Sequence, residues 1–335
     1  MSADWPSYEL GTGEVEQILD LAGRVAQDPG EPEFYDLRHD LREQLPAGLR
    51  GFLEEFRRTE PAAACTVYGL PIDDAKVGPT PAHWANGGRT PHAREVEVYL
   101  ALCGMALGEP FTWSTLQASR MIQNIVPIPG DELRQNGHSS DSLLEFHTED
   151  GFHPHRCDYL LLFGVRNEDK VATTVASVRD VRLSAQHVRV LSRRRFHILP
   201  DDEHVRQLAL RDPGNPALEL VRQMVEDPEP VAVLFGDPAN PYLRVDLPFT
   251  RCVGDDPVSG RALAALMAQL EDRQFDIVVE RGSLLVVDNY LAVHGRRPFS
   301  ARYDGTDRWL KKLTVSRNLR VHNGSPSARS PRVLI

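Results

Sequence analysis

Three side chains of this sequence have the types and the spacing of a metal site. His147 and Glu149 stand two residues apart in His147-Thr148-Glu149, and His294 follows far downstream. Residues i and i+2 of a β-strand point to the same face, so one short extended segment can present both side chains to one ion. Two neutral imidazoles and one carboxylate can hold one face of a ferrous ion and leave three coordination positions open. The sequence therefore predicts an iron(II) site with His147, Glu149 and His294 as its ligands.

The surrounding sequence strengthens that prediction, since a His-x-Glu triplet alone is common in half-buried strands. The triplet lies in the apolar strand context of residues 143–151, and the apolar run 282–289 precedes His294. Arg308 lies 14 residues after His294. A guanidinium at that place can take a carboxylate in bidentate fashion. Arg308 therefore needs an anionic ligand if it is buried, whereas it is an ordinary surface arginine if it is exposed.

The elements that must position these residues are mainly strands. Apolar residues recur at helical spacing over 14–27, 45–58, 92–107 and 259–272. Short β-type runs, mostly bounded by turn residues, are found at 65–70, 120–127, 143–149, 158–165, 172–178, 194–199, 231–235, 241–246, 275–280, 283–288 and 310–318. Many short strands with a few helices predict a mainly β fold, a double-stranded β-helix (a cupin-like jelly roll) with flanking helices.

We expect one domain over residues 1–335. Residues 1–119 would form a helical flank and the first strands, and residues 120–320 would form the jelly-roll core. Residues 200–230 are polar, rich in Asp and Pro and poor in strand signals, which predicts a surface insertion or a lid over the site. Residues 321–335 are predicted to be a loose basic tail.

Composition argues against several classes of function. The net charge of −10 disfavours nonspecific binding to nucleic acid. The longest apolar runs are strand-length, far short of the ~18 residues of a membrane span, and the first five residues lack the features of a signal peptide. The four cysteines show no CxxC spacing, so no zinc knuckle is expected. We therefore expect a cytoplasmic protein with no nucleic-acid and no membrane partner.

Taken together, these motifs resemble those of the iron(II)/2-oxoglutarate-dependent dioxygenases. Within that family the chain is most similar to the clavaminate synthase-like branch and, there, to the arginine 3-hydroxylases of viomycin and streptothricin biosynthesis. The resemblance runs through most of the chain. The segments that carry it are 78–84, 111–117, 147–150, 171–174, 243–246, 294–297 and 308–311.

The resemblance implies a role for each matching position of the metal site. His147, Glu149 and His294 would bind iron(II), and Arg308 would bind the distal carboxylate of the cosubstrate 2-oxoglutarate. Thr174 would add a hydrogen bond to that carboxylate. The cofactors and cosubstrates implied are iron(II), 2-oxoglutarate and O₂, and the co-products are succinate and CO₂.

The resemblance also implies that the substrate is a small molecule, an amino acid. Gln117 and the metal ligand Glu149 would contact its α-amino group, and Ser139 and Ser140 would contact its α-carboxylate. Asp246 would bind the far end of the side chain, where an anion suits guanidinium, ammonium or amide donors.

Two positions differ from the arginine hydroxylases. Those enzymes carry a second aspartate where this chain has Pro248, and an arginine that contacts the substrate carboxylate where this chain has Lys312. A lysine keeps the charge but loses the bidentate fork. Arginine, lysine, a cyclic arginine derivative, an amino acid with an amide side chain and an amino acid tethered to a carrier protein all stay open as substrates.

The sequence thus predicts an enzyme that hydroxylates an amino acid with a cationic or polar side chain, with attack at C3 favoured by the resemblance, for the biosynthesis of a peptide antibiotic. The same oxidant could desaturate, epoxidise or cyclise the substrate, because substrate positioning decides among these outcomes. Halogenation is disfavoured, since Glu149 occupies the position that a halide needs. A non-catalytic jelly-roll protein that binds a metal or another ligand, and a zinc hydrolase, are the alternatives from other classes.

Overall fold

The computed structural model describes residues 5–87, 90–322 and 330–334. Within these ranges the helices are α1 (Thr12–Arg24), α2 (Pro32–Leu37), α3 (Ala47–Thr59), α4 (Asp74–Val77), α5 (Pro91–Leu107), α6 (Ala185–Leu191), α7 (Asp202–Arg211), α8 (Pro216–Glu226) and α9 (Pro257–Asp272). The strands are β1 (Ser7–Glu9), β2 (Ala64–Tyr68), β3 (Glu109–Trp113), β4 (Gln123–Ile125), β5 (Leu144–His147), β6 (Tyr159–Arg166), β7 (Ala172–Ser177), β8 (Phe196–Ile198), β9 (Leu234–Asp237), β10 (Asn240–Leu243), β11 (Thr250–Cys252), β12 (Phe275–Val278), β13 (Leu284–Asp288), β14 (Ala292–Arg296), β15 (Trp309–Ser316) and β16 (Val333–Leu334).

The helices predicted from apolar periodicity are confirmed as α1, α3, α5 and α9. Local capping sets where two of them begin. The Thr90 hydroxyl accepts a hydrogen bond from the Ala93 amide at the start of α5, and Asp256 does the same for Val258 and Ser259 at the start of α9. In both helices a proline is the first residue, a position where its missing N–H costs nothing.

The larger sheet has the strand order β1-β2-β13-β6-β15-β3-β16, with β4 paired to β15. Side chains alternate between its two faces. On β6, Leu161 and Phe163 pack on the face covered by helices, whereas Leu160 and Leu162 pack on the face toward the second sheet. The alternation therefore makes this sheet a partition between a helical layer and the interior of the jelly roll.

The smaller sheet has the order β12-β7-β14-β5 and carries two predicted metal ligands. His147 ends β5 and is the direct cross-strand partner of His294 on β14. A Cβ atom on the next residue, Gly295, would lie 2.4 Å from the carbonyl oxygen of Leu144, so glycine lets β5 approach β14 closely. The two sheets confirm the predicted jelly roll with flanking helices.

Residues 200–230, predicted to be a strand-poor insertion, contain the helix pair α7 and α8. Asp201 and Asn215 cap the first turns of these helices, and Pro216 is the first residue of α8. Buried apolar side chains from both helices form a small cluster of their own, Leu208, Ala217 and Leu218. The insertion therefore has a defined structure that can hold side chains over a site.

The predicted basic tail, 321–335, lies largely outside the described residues. Its described end, Val333–Leu334, forms β16 and pairs in parallel with β3, so that end is not loose. None of the helices in the described ranges combines the length and the apolar character that a membrane crossing needs.

Candidate active site

A cavity lies between the two sheets, and both contribute to its wall. Leu162 and Leu310 come from the larger sheet, and Thr173 comes from the smaller one. Most of the site residues predicted from the sequence line this cavity, namely Gln117, His147, Glu149, Asp246, His294, Arg308 and Lys312. The predicted residues Thr174, Ser139 and Ser140 do not line it.

The three predicted metal ligands converge at one place on the cavity wall. Ligand atoms of His147, Glu149 and His294 all lie within 4.8 Å of one another. The Oε2 atom of Glu149 is 3.3 Å from Nε2 of His294 and 3.9 Å from Nε2 of His147. Two imidazoles and a carboxylate so arranged can bind one face of a single ion. The geometry fits iron(II) with open positions toward the cavity.

The protonation states of these groups also suit a metal ion. The Nδ1 atom of His147 lies 2.9 Å from the Glu145 carbonyl oxygen, which can only accept, so Nδ1 carries the proton and Nε2 keeps its lone pair. Burial, together with His294, lowers the pKa of His147 to about 4. Burial raises the pKa of Glu149, but Lys312 and the two histidines hold it well below its usual range. At neutral pH the site therefore offers a neutral imidazole and a carboxylate, as metal binding requires.

Asn289, which the sequence interpretation did not single out, fixes the backbone of Glu149. Its Oδ1 accepts a hydrogen bond from the Glu149 amide at 2.7 Å, and its Nδ2 donates to the Glu149 carbonyl oxygen at 3.0 Å. Nδ2 also donates to the carbonyl oxygen of Cys157. The signal in the sequence that could have pointed to Asn289 is its place at the end of the run 282–289. The run is buried, and a fully buried amide needs hydrogen-bond partners. The two-point contact holds the carboxylate ligand in place from the turn after β13, 140 residues away in sequence.

We expect Asn289→Asp to weaken iron(II) binding about 10–100-fold, the usual effect of losing a hydrogen-bond partner of a metal ligand. The new carboxylate keeps an acceptor for the Glu149 amide but places a second oxygen against the carbonyls of Glu149 and Cys157. Anaerobic titration with iron(II) measures the affinity, and thermal unfolding of the metal-free protein reports on the fold. The exposed Asn318→Asp is the matched control and should bind iron(II) as the unmodified chain does. An unchanged affinity in Asn289→Asp would show that this contact does not position the ligand.

The residues on either side of Glu149 are also held. The Thr148 amide and hydroxyl both donate to the carbonyl oxygen of Val245, at 2.7 and 3.0 Å. The Asp150 carboxylate accepts from the Trp113 indole N–H at 2.5 Å and lies 3.1 Å from Nε2 of His204. Because His204 belongs to α7, the helix pair of 200–230 contacts the metal-binding segment directly.

Arg308 and Arg296 are buried arginines of the cavity wall that lack a carboxylate partner in the described part of the chain. The Nε atom of Arg308 has no hydrogen-bond partner there, and its Nη2 donates to the Thr173 hydroxyl at 3.3 Å. Burial and the charge of Arg296 lower the pKa of Arg308 to about 9. A buried charge without a counterion is costly, and a bound carboxylate would relieve that cost. The pair therefore fits a dianion such as 2-oxoglutarate, with Arg308 in the predicted role.

The threonine beside Arg308 is Thr173, whereas the sequence interpretation chose Thr174. Cross-strand partners share a face of a sheet, and Thr173 pairs with Arg296 whereas Thr174 pairs with Gly295. A Cβ atom on Gly295 would lie 2.9 Å from the Thr174 hydroxyl, so Thr174 points to the face away from the cavity. The residue that can add a hydrogen bond to a carboxylate at Arg308 is therefore Thr173.

Lys312 connects the metal position with the rest of the cavity. Its Nζ donates to Oε1 of Glu149 at 2.6 Å, while Oε2 of the same carboxylate faces the two histidines. Burial lowers the pKa of Lys312, but Glu149 and Asp150 raise it above its usual value. The lysine is therefore a cation at neutral pH, as a partner for a substrate carboxylate must be.

Gln117 reaches the cavity from a backbone conformation that non-glycine residues rarely adopt. Its φ is 39°, and the next two residues, Ala118 and Ser119, have φ of 58° and 64°. The Gln117 side chain exchanges two hydrogen bonds of 2.9 Å with the backbone of Asn124. The backbone N–H of Gln117 donates to the side-chain oxygen of Gln207 of α7 at 2.8 Å. One Nε2 hydrogen and one Oε1 lone pair stay available to a ligand.

Ser139 and Ser140 hold a site arginine and do not themselves line the cavity. The Ser139 hydroxyl accepts a hydrogen bond from Nη2 of Arg296 at 2.8 Å, and the Ser140 carbonyl oxygen accepts one from Nη1 at 3.0 Å. The structure therefore does not bring the Ser139 and Ser140 hydroxyls to the cavity, where the resemblance implied that they contact the substrate carboxylate.

Several carboxylates line the cavity together with Asp246, and one that the sequence interpretation missed is that of Asp201. Burial and the charge of Asp201 raise the pKa of Asp246 well above its usual value, and burial raises that of Asp201. Neither carboxylate has an ion-pair partner within the described ranges. One buried and one partly buried acid without a cation form a site that favours a cationic ligand. Pro248, where the arginine hydroxylases have their second aspartate, also lines the cavity.

Comparisons with known proteins agree with this geometry. Residues 127–314 match the family described as taurine catabolism dioxygenase TauD, TfdA family. The chain is 37% identical to an L-ornithine/L-arginine 3-hydroxylase of Catenulispora acidiphila, with 95% of each chain covered. It is 36% identical to an enduracididine beta-hydroxylase of Streptomyces hygroscopicus, with 96% of each covered. The crystal structure of the non-heme iron oxygenase OrfP with Fe, succinate and (3S)-hydroxy-L-Arg superposes with a TM-score of 0.91 at 35% identity, covering 98% of this chain and 100% of that one.

Proposed function

This chain belongs to the TauD/TfdA family of dioxygenases, and from that membership we propose that it hydroxylates, at C3, an amino acid with a cationic side chain in the biosynthesis of a peptide natural product. The observation that carries the proposal is one cavity with three parts. It combines converging ligand atoms of His147, Glu149 and His294, a buried arginine pair, and two acids, one buried and one partly buried. Each part fits one component of the reaction, namely iron(II), 2-oxoglutarate and a cationic amino acid.

The residues of the chain supply binding, aim and the exclusion of water. Bound iron(II) and 2-oxoglutarate together activate O₂ for insertion of one oxygen atom into a C–H bond, with succinate and CO₂ as co-products. His147, Glu149 and His294 would hold the iron, and Arg308 with Thr173 would hold the distal carboxylate of 2-oxoglutarate. The apolar wall from Leu160, Leu162 and Leu310 limits water around these groups and strengthens their electrostatic interactions.

The amino-acid end of the substrate would be held close to the metal position. Lys312 offers a cation to the α-carboxylate, and the free lone pair of Gln117 Oε1 can accept from the α-ammonium group. Oε1 of Glu149, which pairs with Lys312 here, can share its charge with that ammonium group. Contacts at this end set which carbon lies nearest the iron. Attack at C3 is supported by the activities of the two relatives, a 3-hydroxylase and a beta-hydroxylase.

The side chain of the substrate would end between Asp246 and Asp201. Asp201 caps α7, so a cation bound there would draw the helix pair of 200–230 toward the cavity and make it a lid. Asp201 can replace the second aspartate that Pro248 removes. A guanidinium or an ammonium group satisfies both acids, whereas an uncharged amide leaves the buried Asp246 and the partly buried Asp201 without a counterion. The pair therefore favours arginine, ornithine, lysine or a cyclic arginine derivative over asparagine.

We expect Asp246→Asn to raise the KM for a cationic substrate about 10–100-fold, because a hydrogen bond to a charged group contributes about 1.5–3 kcal/mol. Asp201→Asn should act in the same direction with a smaller effect, since its Oδ1 is also engaged with the amides of Glu203 and His204. Steady-state kinetics with arginine and with citrulline, its uncharged analogue, measures the loss of preference. Asp255→Asn, at an exposed position, is the control. Equal KM changes for both substrates would contradict a charge-reading role.

The proposed function is tested with a panel of free amino acids and one carrier-tethered amino acid. Each is incubated with iron(II), 2-oxoglutarate and O₂, and succinate and product mass are measured. A gain of one oxygen on a cationic amino acid with equimolar succinate supports the proposal. A loss of two hydrogens assigns desaturation or cyclisation, and turnover of the tethered form alone assigns a carrier-bound substrate. Absence of amino-acid-dependent succinate with the whole panel would leave a binding protein as the better account.

A further inference from the structure

A buried ion pair lies on the helical side of the larger sheet, away from the cavity. Lys311 of β15 is 0% exposed and Glu97 of α5 is 2% exposed, and Nζ of the lysine lies 2.7 Å from Oε1 of the glutamate. Replacing such a pair by apolar side chains of similar volume is often neutral or stabilising. Stability alone therefore does not account for charges at this place, and the contacts of the pair point to another role.

The second partner of Lys311 is Asn124 of β4, its direct cross-strand neighbour. The Asn124 Oδ1 atom accepts from Nζ of Lys311 at 2.7 Å and from the indole N–H of Trp309 at 2.9 Å. Its Nδ2 donates to the carbonyl oxygen of Trp84 at 3.1 Å. Three contacts, two from β15 and one from the segment that carries Trp84, leave the Asn124 side chain a single orientation. An apolar residue at position 311 could fill the space but could not donate to this amide.

The backbone of Asn124 in turn fixes Gln117. Both polar atoms of the Gln117 side chain bond to the amide and carbonyl groups of this one residue. Gln117 stands at the start of three successive left-handed residues, and strain of that kind persists only where the surroundings hold it. The chain of contacts therefore runs from a buried charge pair through Asn124 to a side chain in the cavity wall.

We propose that Lys311 and Glu97 are positioning residues for substrate binding: their ion pair orients Asn124, and Asn124 holds the amide of Gln117 in the place where it meets the substrate. The inference rests on the proposed function for the role of Gln117. Arg120 extends the chain of contacts toward the surface, because its Nη2 lies 3.4 Å from Oε2 of Glu97 while its guanidinium also pairs with Asp28. Glu97 is thus a carboxylate shared by two cations.

The test is the charge-neutral double variant Lys311→Met with Glu97→Gln. We expect a KM for the amino acid about five- to tenfold higher, and more 2-oxoglutarate consumed without hydroxylation, because a misplaced substrate is missed by the oxidant. The visible absorption band of anaerobic iron(II) with 2-oxoglutarate should be unchanged. Arg317→Met is the matched control. It removes a cation that pairs with Glu60 and Tyr159 and has no contact with Gln117.

A double-mutant cycle separates positioning from general loss of stability. In a Gln117→Ala background the double variant should raise KM no further, because the residue through which the pair acts is gone. Additive KM changes would overturn the inference. So would a double variant whose KM, and whose ratio of hydroxylated product to 2-oxoglutarate consumed, equal those of the unmodified chain. If the double variant does not fold, Trp309→Phe, which removes one donor to Asn124 Oδ1, carries the same cycle.

A readout without substrate distinguishes failure of this inference from failure of the proposed function. In a nitrogen-15 correlation spectrum, the side-chain amide signals of Gln117 are those lost in Gln117→Ala. They should shift or broaden in the double variant and keep their position in Arg317→Met. If no amino acid is turned over and these signals still move, the proposed function fails and the positioning stands. Unmoved signals would refute the positioning whatever the turnover.

Discussion

Replacing His147 or Glu149 with alanine should weaken iron(II) binding more than 100-fold and abolish amino-acid-dependent succinate formation. Two of three protein ligands then remain, and a divalent ion held by two groups exchanges readily with water. Loss of Glu149 also leaves Lys312 as a buried cation without its partner, so the local charge turns against a metal ion. Because losing only a hydrogen-bond partner of a ligand costs about 10–100-fold in affinity, loss of a ligand itself should exceed 100-fold. Anaerobic titration with iron(II) and a succinate assay measure both effects.

His155→Ala is the matched control for this prediction. His155 lies close to the triplet in sequence but is not part of the group of converging ligand atoms. The variant should bind iron(II) with unchanged affinity and keep turnover. Loss of iron binding in His155→Ala, or its retention in Glu149→Ala, would require a different ligand set from the one described.

Arg308→Met should weaken 2-oxoglutarate binding and stabilise the protein in the absence of ligands. The guanidinium is buried beside Arg296 with no carboxylate, so it destabilises the fold until an anion binds. Truncating one partner of a buried charge pair costs about 2–5 kcal/mol, which raises the KM for 2-oxoglutarate roughly thirtyfold or more. Thermal unfolding measures both effects. Without 2-oxoglutarate, the midpoint of Arg308→Met should lie above that of the unmodified chain, and addition of 2-oxoglutarate should not raise it further.

Two comparisons sharpen this second prediction. Arg308→Lys keeps the charge and loses the bidentate fork, so its KM for 2-oxoglutarate should lie between those of the methionine variant and the unmodified chain. Arg297→Met removes a half-exposed arginine paired with Asp276. It should change neither the KM for 2-oxoglutarate nor the thermal unfolding midpoint. If 2-oxoglutarate still stabilises Arg308→Met fully, its distal carboxylate binds elsewhere.

The fold and the metal ligands could be predicted from the sequence because each depends on a local pattern. Apolar periodicity marks α1, α3, α5 and α9, and the i, i+2 spacing of His147 and Glu149 specifies one face of a strand. His294 could be linked to them because a buried strand precedes it. Strand pairing then brings His147 and His294 together as direct neighbours, as the predicted site requires.

The choice between Thr173 and Thr174 could not be made from the sequence. Alternation of polar and apolar residues identifies the inward face of a strand only when the other face is exposed to solvent. Every residue of β7 is buried, so the pattern does not show which threonine faces the cavity. The cross-strand register with β14 decides, and register depends on tertiary pairing. The adjacent lysines of β15 pose the same problem. The resemblance implied a cavity role for Lys312, and the structure shows that Lys311 serves the opposite face.

Contacts between distant segments account for the other residues that were missed. Asp201 enters the cavity because α7 contacts the metal-binding segment through His204, and nothing in the polar stretch 200–230 shows that contact. Asn289 reaches Glu149 across 140 residues of chain. A single sequence shows that such polar residues are present, but not which partners their burial gives them.

The central claim is tested most directly with isotopically labelled oxygen. The unmodified chain is incubated under ¹⁸O₂ with iron(II), 2-oxoglutarate and the best cationic amino acid of the panel, and both products are analysed by mass spectrometry. The account predicts one ¹⁸O atom at C3 of the amino acid and one in succinate, in equal amounts, and neither when iron(II) is withheld. An amino acid of unchanged mass, with the fold intact and iron bound, would contradict it.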